Sequence, residues 1–434
     1  MRRTIRVLLV GGMVAACMAV AAPAWAAPKT VCASGCPHTS IQAAINAASP
    51  GDTITVGAGS YFENVVVNKS VTLKGSGIET VIYPATSMPV CSPGSLCGGS
   101  ASNIVLVEAD NVTITNLRLQ GDNPNLTSGV VVGGEDIDAR NGIITNHAVG
   151  VYNNLTVSKV KITGIYLRGI YASSGGSFNF NHDKISNVQG EAASIAMFNF
   201  GGSGVMANNV VSSANDAISA NHSTGTQFLH NTISKSGSGV HTDNNGDSGG
   251  SGDLIQGNKV IECNTDGYGI FVFVPYLSPT VEANKVKGCY VGLAAFGGAV
   301  SGQGPTFVNN TINGTGATTT DPNGTYGAYL TTDQLGFESG DLSASLTGNT
   351  LAHFGTGVFV TQTSPSPGQS AGGQATISAS GNSIVADTTG ANGDTGTVVN
   401  AANNWWGCSQ GPNHGHCTTA IGTVQFTPWL TAKP

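Results

Sequence analysis

Charge is scarce in this chain: of 434 residues only 9% are charged, and aromatic side chains make up 6%. Average usage would put about 25% in the charged class. With 17 Lys and Arg against 24 Asp and Glu, the formal net charge is −7. That leaves no electrostatic footprint for nucleic-acid binding. An apolar content of 40% excludes disorder, which goes with high net charge and few apolar residues. Helical periodicity and regularly placed Leu are also missing, which excludes helical and leucine-rich repeats. The 61 glycines follow no three-residue period, which excludes collagen. Gly, Asn, Ser, Thr and Val are what the chain has in quantity, a composition for short strands separated by many turns.

An apolar run from Val7 to Ala22 follows Arg2, Arg3 and Arg6 and precedes Ala24-Trp25-Ala26, a small-x-small processing site. Residues 1–26 are expected to be an export signal, with 27–434 forming one secreted domain that has no transmembrane segment. Val14-Ala15-Ala16-Cys17 offers the alternative of a lipid anchor at Cys17. Losing the three arginines leaves 14 basic against 24 acidic residues, a net of −10. It also leaves eight cysteines, an even number for an oxidising compartment. Their spacing suggests local disulfides: Cys32 with Cys36, Cys91 with Cys97, Cys263 with Cys289 and Cys408 with Cys417. Zinc at Cys408…His414-Gly415-His416-Cys417 is the competing reading.

An internal repeat sets the fold class. Asn209-Val210-Val211, Asn231-Thr232-Ile233, Asn258-Lys259-Val260, Asn284-Lys285-Val286 and Asn310-Thr311-Ile312 share one pattern. Asn349-Thr350-Leu351 and Asn382-Ser383-Ile384 continue it, and Asp183-Lys184-Ile185 fits one step earlier. The steps are 26, 22, 27, 26, 26, 39 and 33 residues. A period in the twenties with β-branched strands predicts a solenoid of about a dozen coils, each wound through three short parallel strands. Equivalent Asn side chains would then stack into a hydrogen-bonded column. Cys263 and Cys289 each lie five residues beyond an anchor Asn, so they share a register at a coil spacing of about 4.8 Å. That distance suits a disulfide.

Ser40-Ile41-Gln42-Ala43-Ala44-Ile45-Asn46-Ala47-Ala48, with Gly51-Asp52-Thr53-Ile54-Thr55-Val56, Gly59-Ser60-Tyr61-Phe62-Glu63 and Ser70-Val71-Thr72-Leu73-Lys74-Gly75, resembles the start of the right-handed parallel β-helix (pectin-lyase-like) superfamily. Residues 40–48 would form a capping helix with Ile41, Ala44, Ile45 and Ala48 plugging the first coil. Asn403-Asn404-Trp405-Trp406-Gly407 with Thr427-Pro428-Trp429-Leu430 resembles the closing segment (403–431) of secreted bacterial members. The resemblance spans roughly residues 29–431 and implies an all-β, right-handed parallel β-helix solenoid. Its activity signatures are incomplete. Asn264-Thr265-Asp266-Gly267 looks like one polygalacturonase motif, but its companions are missing, as are the pectate-lyase and pectinesterase segments.

Within the strand that follows each anchor, Ile218, Val240, Leu293 and Val358 recur as core positions, with Val151, Ile170, Ile195 and Ile270 in less regular coils. Their neighbours should face outward: Tyr152, Tyr171, Phe198, Ser219, His241 with Asp243, Phe271 with Phe273, Phe296, Phe359 and Tyr329. Such a strip of rings suits the apolar C–H faces of sugars; the plain alternative is that loops cover the rings and they merely extend the core. Asp216 and Asp243 are the expected acid/base pair, with His241 as proton shuttle or orienter. His222 and Arg168 stand near the strip, and the resemblance gives Arg a role as base in β-elimination. No cofactor is required; Ca²⁺ at a turn of Asp243, Asn245 and Asp247 is an alternative to a plain Asn/Asp/Gly turn. The expected protein is a monomeric lyase or glycoside hydrolase acting on a polysaccharide or cell-wall glycan. The rival is a non-catalytic glycan-binding surface or matrix protein.

Overall fold

The structure, a computed structural model, describes residues 29–223, 225–244, 252–264, 266–273, 278–297, 304–316, 324–332, 341–362, 373–386 and 388–434. The expected export signal, Cys17, Asn245 and Asp247 lie outside them, as does the side chain of Phe273. Each regular coil contributes one strand in turn to three parallel sheets, here called I, II and III. Leu155–Ser158, Lys161–Ile165 and Arg168–Ala172 form one such coil, and Ser177–Asn181, Lys184–Val188 and Ile195–Phe200 form the next. Among the described residues sheet I has 15 strands, sheet II has 12 and sheet III has 13. Apolar side chains at every second position fill the interior: Ile170, Met197, Ile218, Val240, Ile270 and Leu293 stack inside sheet III and are fully buried.

The repeating Asn works at the turn from sheet I to sheet II. The residue before it adopts a left-handed conformation, with φ of 55° at His230, 66° at Gly257 and 54° at Ala283. This tight reversal directs the Asn inward. Asn258 then donates through Nδ2 to the Phe228 carbonyl at 2.8 Å and to Asn284 Oδ1 at 3.0 Å. Its own Oδ1 accepts from the backbone N–H and Nδ2 of Asn231, both at 2.9 Å. The same set of bonds links Asn209, Asn231, Asn258, Asn284, Asn310, Asn349, Asn382 and Asn404. Within this column each buried side-chain amide is satisfied by the coil beside it.

Asp183 ends this column. Its carboxyl accepts from the Val160 N–H at 2.8 Å, and burial pushes its pKa up to about 8. An Asn at this place would donate; an Asp does so only when protonated. One coil earlier the position is held by Val160 itself.

Glycine has a specific task at the bend where sheet III begins. A Cβ on Gly269 would lie 2.6 Å from the Gly292 carbonyl oxygen and 2.4 Å from a Val286 methyl. Only a residue without a side chain lets these coils stack.

The N-terminal end is closed by the expected helix. The helix Ile41–Ala47 starts at Ser40 and buries Ile41, Ala44 and Ile45, with Ala48 beneath its end. Glu63, from the neighbouring strand segment, accepts from the Ile41 and Gln42 N–H groups at 2.8 and 2.9 Å. At the far end Trp406 is fully buried and Val398–Asn400 pairs with Val424–Gln425. Four disulfides join Cys32–Cys36, Cys91–Cys97, Cys263–Cys289 and Cys408–Cys417. The Cys263 and Cys289 Cα atoms are 4.7 Å apart, one coil spacing. The last disulfide takes both sulfurs that zinc would need.

Three register expectations change. Val151 and Tyr152 lie in the loop that precedes Leu155–Ser158, and Val151 is 51% exposed rather than in the core. The strip position assigned to Tyr152 belongs to Ile144, which pairs with Tyr171. Ile195 faces outward beside Phe198, while Met197 takes the core place. These coils carry irregular connections ahead of the strand, so counting from the anchor Asn loses register there. Asn264 to Gly267 is a plain turn, closed by the Gly267 N–H donating to the Asn264 carbonyl at 2.9 Å.

Candidate functional site

On the outward positions of sheet III the backbone register sets three rows of residues that run along the solenoid axis. The central row reads Tyr171, Phe198, Ser219, His241, Phe271, Ala294, Tyr329 and Phe359. On one side lie Arg168, Ile195, Asp216, Ser238, Tyr268, Val291 and Tyr326. On the other lie Phe200, Asn221, Asp243, Phe273 and Phe296. Phe296 thus pairs with Phe273 and not with Phe271, one step off the expected row. Two adjacent coils, 216–223 and 238–244, are polar across the whole width of the sheet, with aromatics on either side.

Toward the N-terminal end, Tyr171 and Phe198 stack at 4.6 Å between centroids, and the Arg168 guanidinium sits 4.6 Å above Phe198. Leu96, on the loop closed by Cys91–Cys97, packs with Ile144, Tyr171, Ile195 and Phe198. Arg140 fixes that loop by donating to the carbonyls of Pro89, Gly94 and Ser95. Tyr171 and Phe198 are consequently 6% and 5% exposed. For these two the covered-ring alternative holds. Phe200, unnoticed in the sequence although it alternates with Phe198, is 39% exposed and meets the exposed His222 ring at 5.0 Å.

Toward the C-terminal end the rings form a continuous network. Phe271 stacks on His241 at 4.2 Å, and Tyr268, Phe296, Tyr329, Tyr326 and Phe359 follow at 5.2–6.3 Å. Phe296 is buried beneath its neighbours, whereas Phe271, Tyr326, Tyr329 and Phe359 are half-buried. They offer ring surface on the outside of the sheet.

Between these arms, His241 Nδ1 lies 3.4 Å from Asp216 Oδ2 and 3.2 Å from Ser219 Oγ. Ser238 donates its hydroxyl to the other oxygen of Asp216. Asp243 stands near His222 and His241; burial raises its pKa above the usual carboxylate value, and the two imidazoles partly oppose that rise. Arg168 is pulled down to about 10, chiefly by burial, with Tyr171, Asp216 and Glu191 opposing.

Asp216 and Asp243 do not form a close pair. Asp216 is in register with Ser238, and Asp243 lies five residues further along that strand, which is roughly 15 Å of extended chain. His241 lies between them and is the group that both approach. Sequence counting placed each on the correct coil but not at opposite ends of its strand.

Beneath the site, Asp253 is buried and accepts from Ser223 Oγ at 2.8 Å, from the Thr226 N–H at 2.6 Å and from the Thr242 hydroxyl. Thr242 separates His241 from Asp243, so this carboxylate anchors the strand that carries both. Among the described residues no three His, Cys, Asp or Glu side chains are grouped to hold a metal ion. Two of the three residues of the Ca²⁺ alternative, Asn245 and Asp247, lie outside those residues.

No family model matches the sequence, and no curated protein matches it. Solved structures do match. The catalytic domain of an α-1,3-glucanase aligns with 92% of this chain and 68% of its own, at 15% identity and a TM-score of 0.53. The A-module of a mannuronan C-5 epimerase from Azotobacter vinelandii aligns over 91% and 94%, at 16% identity and a TM-score of 0.49. An alginate lyase from Paenibacillus aligns over 62% and 91%, at 14% identity and a TM-score of 0.42. The chain is a right-handed parallel β-helix of the pectin-lyase-like fold. The neighbours are carbohydrate-active proteins, and at these identities the likeness extends to the fold alone. Among the described residues no helix is long and apolar enough to cross a membrane.

Proposed function

We propose that this β-helix is a secreted carbohydrate-active enzyme that cleaves an extended glycan lying along the outer face of sheet III. The observation that carries the reading is the arrangement of that face: two polar coils holding Asp216, His241 and Asp243, bordered by half-buried rings on one side and by Phe200 on the other. Rings bind sugar faces, and titratable groups concentrated at one point along the rings mark where a bond would be broken. Asp243, held more protonated than an ordinary carboxylate, is the general acid. His241, oriented by Asp216, is the base. With the base activating water the reaction is a hydrolysis; with a uronate it is a β-elimination. Four disulfides accord with an extracellular setting.

A panel of neutral and acidic polysaccharides, scored for new reducing ends and for unsaturated uronate absorbance, tests this reading. Cleavage lost in Asp243→Asn and His241→Ala supports it. Cleavage that survives both substitutions removes these residues from the chemistry. Binding without any product supports the second reading, a non-catalytic glycan binder, which the wide separation of Asp216 and Asp243 favours.

A further inference from the structure

The mature chain has 14 Lys and Arg residues against 24 Asp and Glu, and the cations are not spread evenly. Six project from the outer face of sheet II. Arg118, Lys161 and Lys184 stand directly opposite one another on consecutive strands. Further along, Lys259 and Lys285 are paired in the same way, with Lys287 two residues on and on the same face. Lys159 and Lys235 occupy the turns that flank these strands. Lys184, Lys259, Lys285 and Lys287 are exposed, and Arg118 and Lys161 are half-buried.

Such stacking needs a reason, because like charges directly opposite in a sheet repel. Among the described residues no Lys or Arg is paired with a carboxylate, and the sheet II strands from Arg118 to Val385 contain no Asp or Glu. The nearest carboxylates are engaged otherwise or stand aside. Glu135 accepts from Gln120 and Asn187, Asp183 is buried and held protonated, and Glu262 sits in a turn. The cations are therefore available to an outside partner.

We propose that the outer face of sheet II is a docking strip for a linear acidic polysaccharide lying along the solenoid axis, on a face separate from the aromatic one. Strands step by about 4.8 Å, so the row from Arg118 to Lys285 covers six steps, about 29 Å. That step is close to the advance of one pyranose ring along an extended glycan, so a chain with one carboxylate per sugar meets a cation on each coil at both ends of the row, with Val210 and Thr232 holding the position on the two coils between. In the adjacent outward row Gln120 and Thr163 are buried and bonded within the protein, while the half-buried Ser186, Ser212 and Ser234 supply hydroxyl partners for sugar hydroxyls. A single-stranded nucleic acid would call for exposed rings to stack its bases, and this stretch of sheet II contains no aromatic residue.

The proposal does not depend on catalysis, and its test measures binding alone. Retardation of the full mature protein in gels containing polygalacturonate is compared with dextran gels over a range of salt. Retardation by polygalacturonate only, weakening steeply with salt through counterion release, is the expected wild-type result. Lys161→Glu combined with Lys184→Glu is expected to weaken binding at least tenfold and to flatten the salt dependence. Lys259→Glu with Lys285→Glu should do the same. Lys74→Glu with Lys433→Glu makes the same charge change away from the strip and should retain binding within twofold, with thermal melts reporting that all variants fold. Equal losses in all three double variants, absence of wild-type retardation, or tighter binding to single-stranded DNA than to polygalacturonate would each overturn the proposal. Loss of glycan cleavage in Asp243→Asn with retardation intact separates the two faces.

Discussion

Asp216 Oδ2 and Ser219 Oγ approach the same nitrogen of His241, Nδ1, at 3.4 and 3.2 Å. A serine–histidine–aspartate relay needs the carboxylate and the hydroxyl on different ring nitrogens. Ser219 moreover donates its proton to Asn221 Oδ1 at 2.9 Å. Ser219 is therefore not a nucleophile, and Asp216 is the group that orients the imidazole.

Substitutions should separate these roles. Asp216→Asn keeps the shape but removes the charge, and kcat on the cleaved glycan is expected to fall by about 10²–10⁴, the range for a lost acid–base contribution. Ser219→Ala should keep kcat within about one order of magnitude. A Ser219→Ala variant as inactive as Asp216→Asn would reinstate the hydroxyl as a reacting group.

Asp243 gives the site a pH signature. Burial raises its pKa, and the neighbouring imidazoles of His222 and His241 pull it part of the way back. As a general acid it works only while protonated, so kcat should decline as pH rises through this elevated value. Removing the His222 imidazole, which opposes the rise, makes ionisation of Asp243 harder still. His222→Ala should therefore move that limb of the kcat profile to higher pH, and an unmoved limb would show that Asp243 is not the acid.

Asp183 sets a stability signature distinct from the catalytic one. Its pKa rises from 3.8 to about 8 because it is buried at the end of the Asn column. The folded protein holds this proton more tightly than the unfolded chain does. The stability tied to the proton is thus fully present below about pH 4 and is lost progressively as pH climbs to about 8. Asp183→Asn supplies an amide that donates at every pH. Its melting temperature should exceed the wild type's at pH 8, and the gap should close toward pH 4. Melting curves of both proteins across that window provide the check.

How far the sequence revealed all this depends on what each inference needed. The Asn anchors, the capping helix and Cys263–Cys289 were legible because each is a repeat of one coil at fixed spacing. Tyr152 and Ile195 were misplaced because connection length varies ahead of their strands, and one extra residue turns a side chain to the other face. The burial of Phe198 was invisible, since Leu96 reaches it from a loop distant in the chain. The same holds for Asp253, which meets Thr242 and Ser223 only after the coil has closed. Local pattern reports register; cover and second-layer support come from tertiary contacts.

The turn at Ala283 and Asn284 allows adjacent substitutions with opposite expected signs. Ala283 holds φ at 54°, a left-handed conformation that costs a residue with a Cβ about 1–2 kcal/mol. Ala283→Gly removes that cost but frees the unfolded chain, so a net stabilisation of about 0.5–1 kcal/mol is expected. Asn284 donates to the Ile255 carbonyl at 2.9 Å and accepts from the Asn258 N–H at 2.8 Å. Asn284→Leu leaves both backbone groups buried without partners, at about 1–3 kcal/mol each. Urea unfolding of the two variants reads the difference directly. If Asn284→Leu proved as stable as the wild type, the Asn column would be a by-product of the turn rather than a source of its stability.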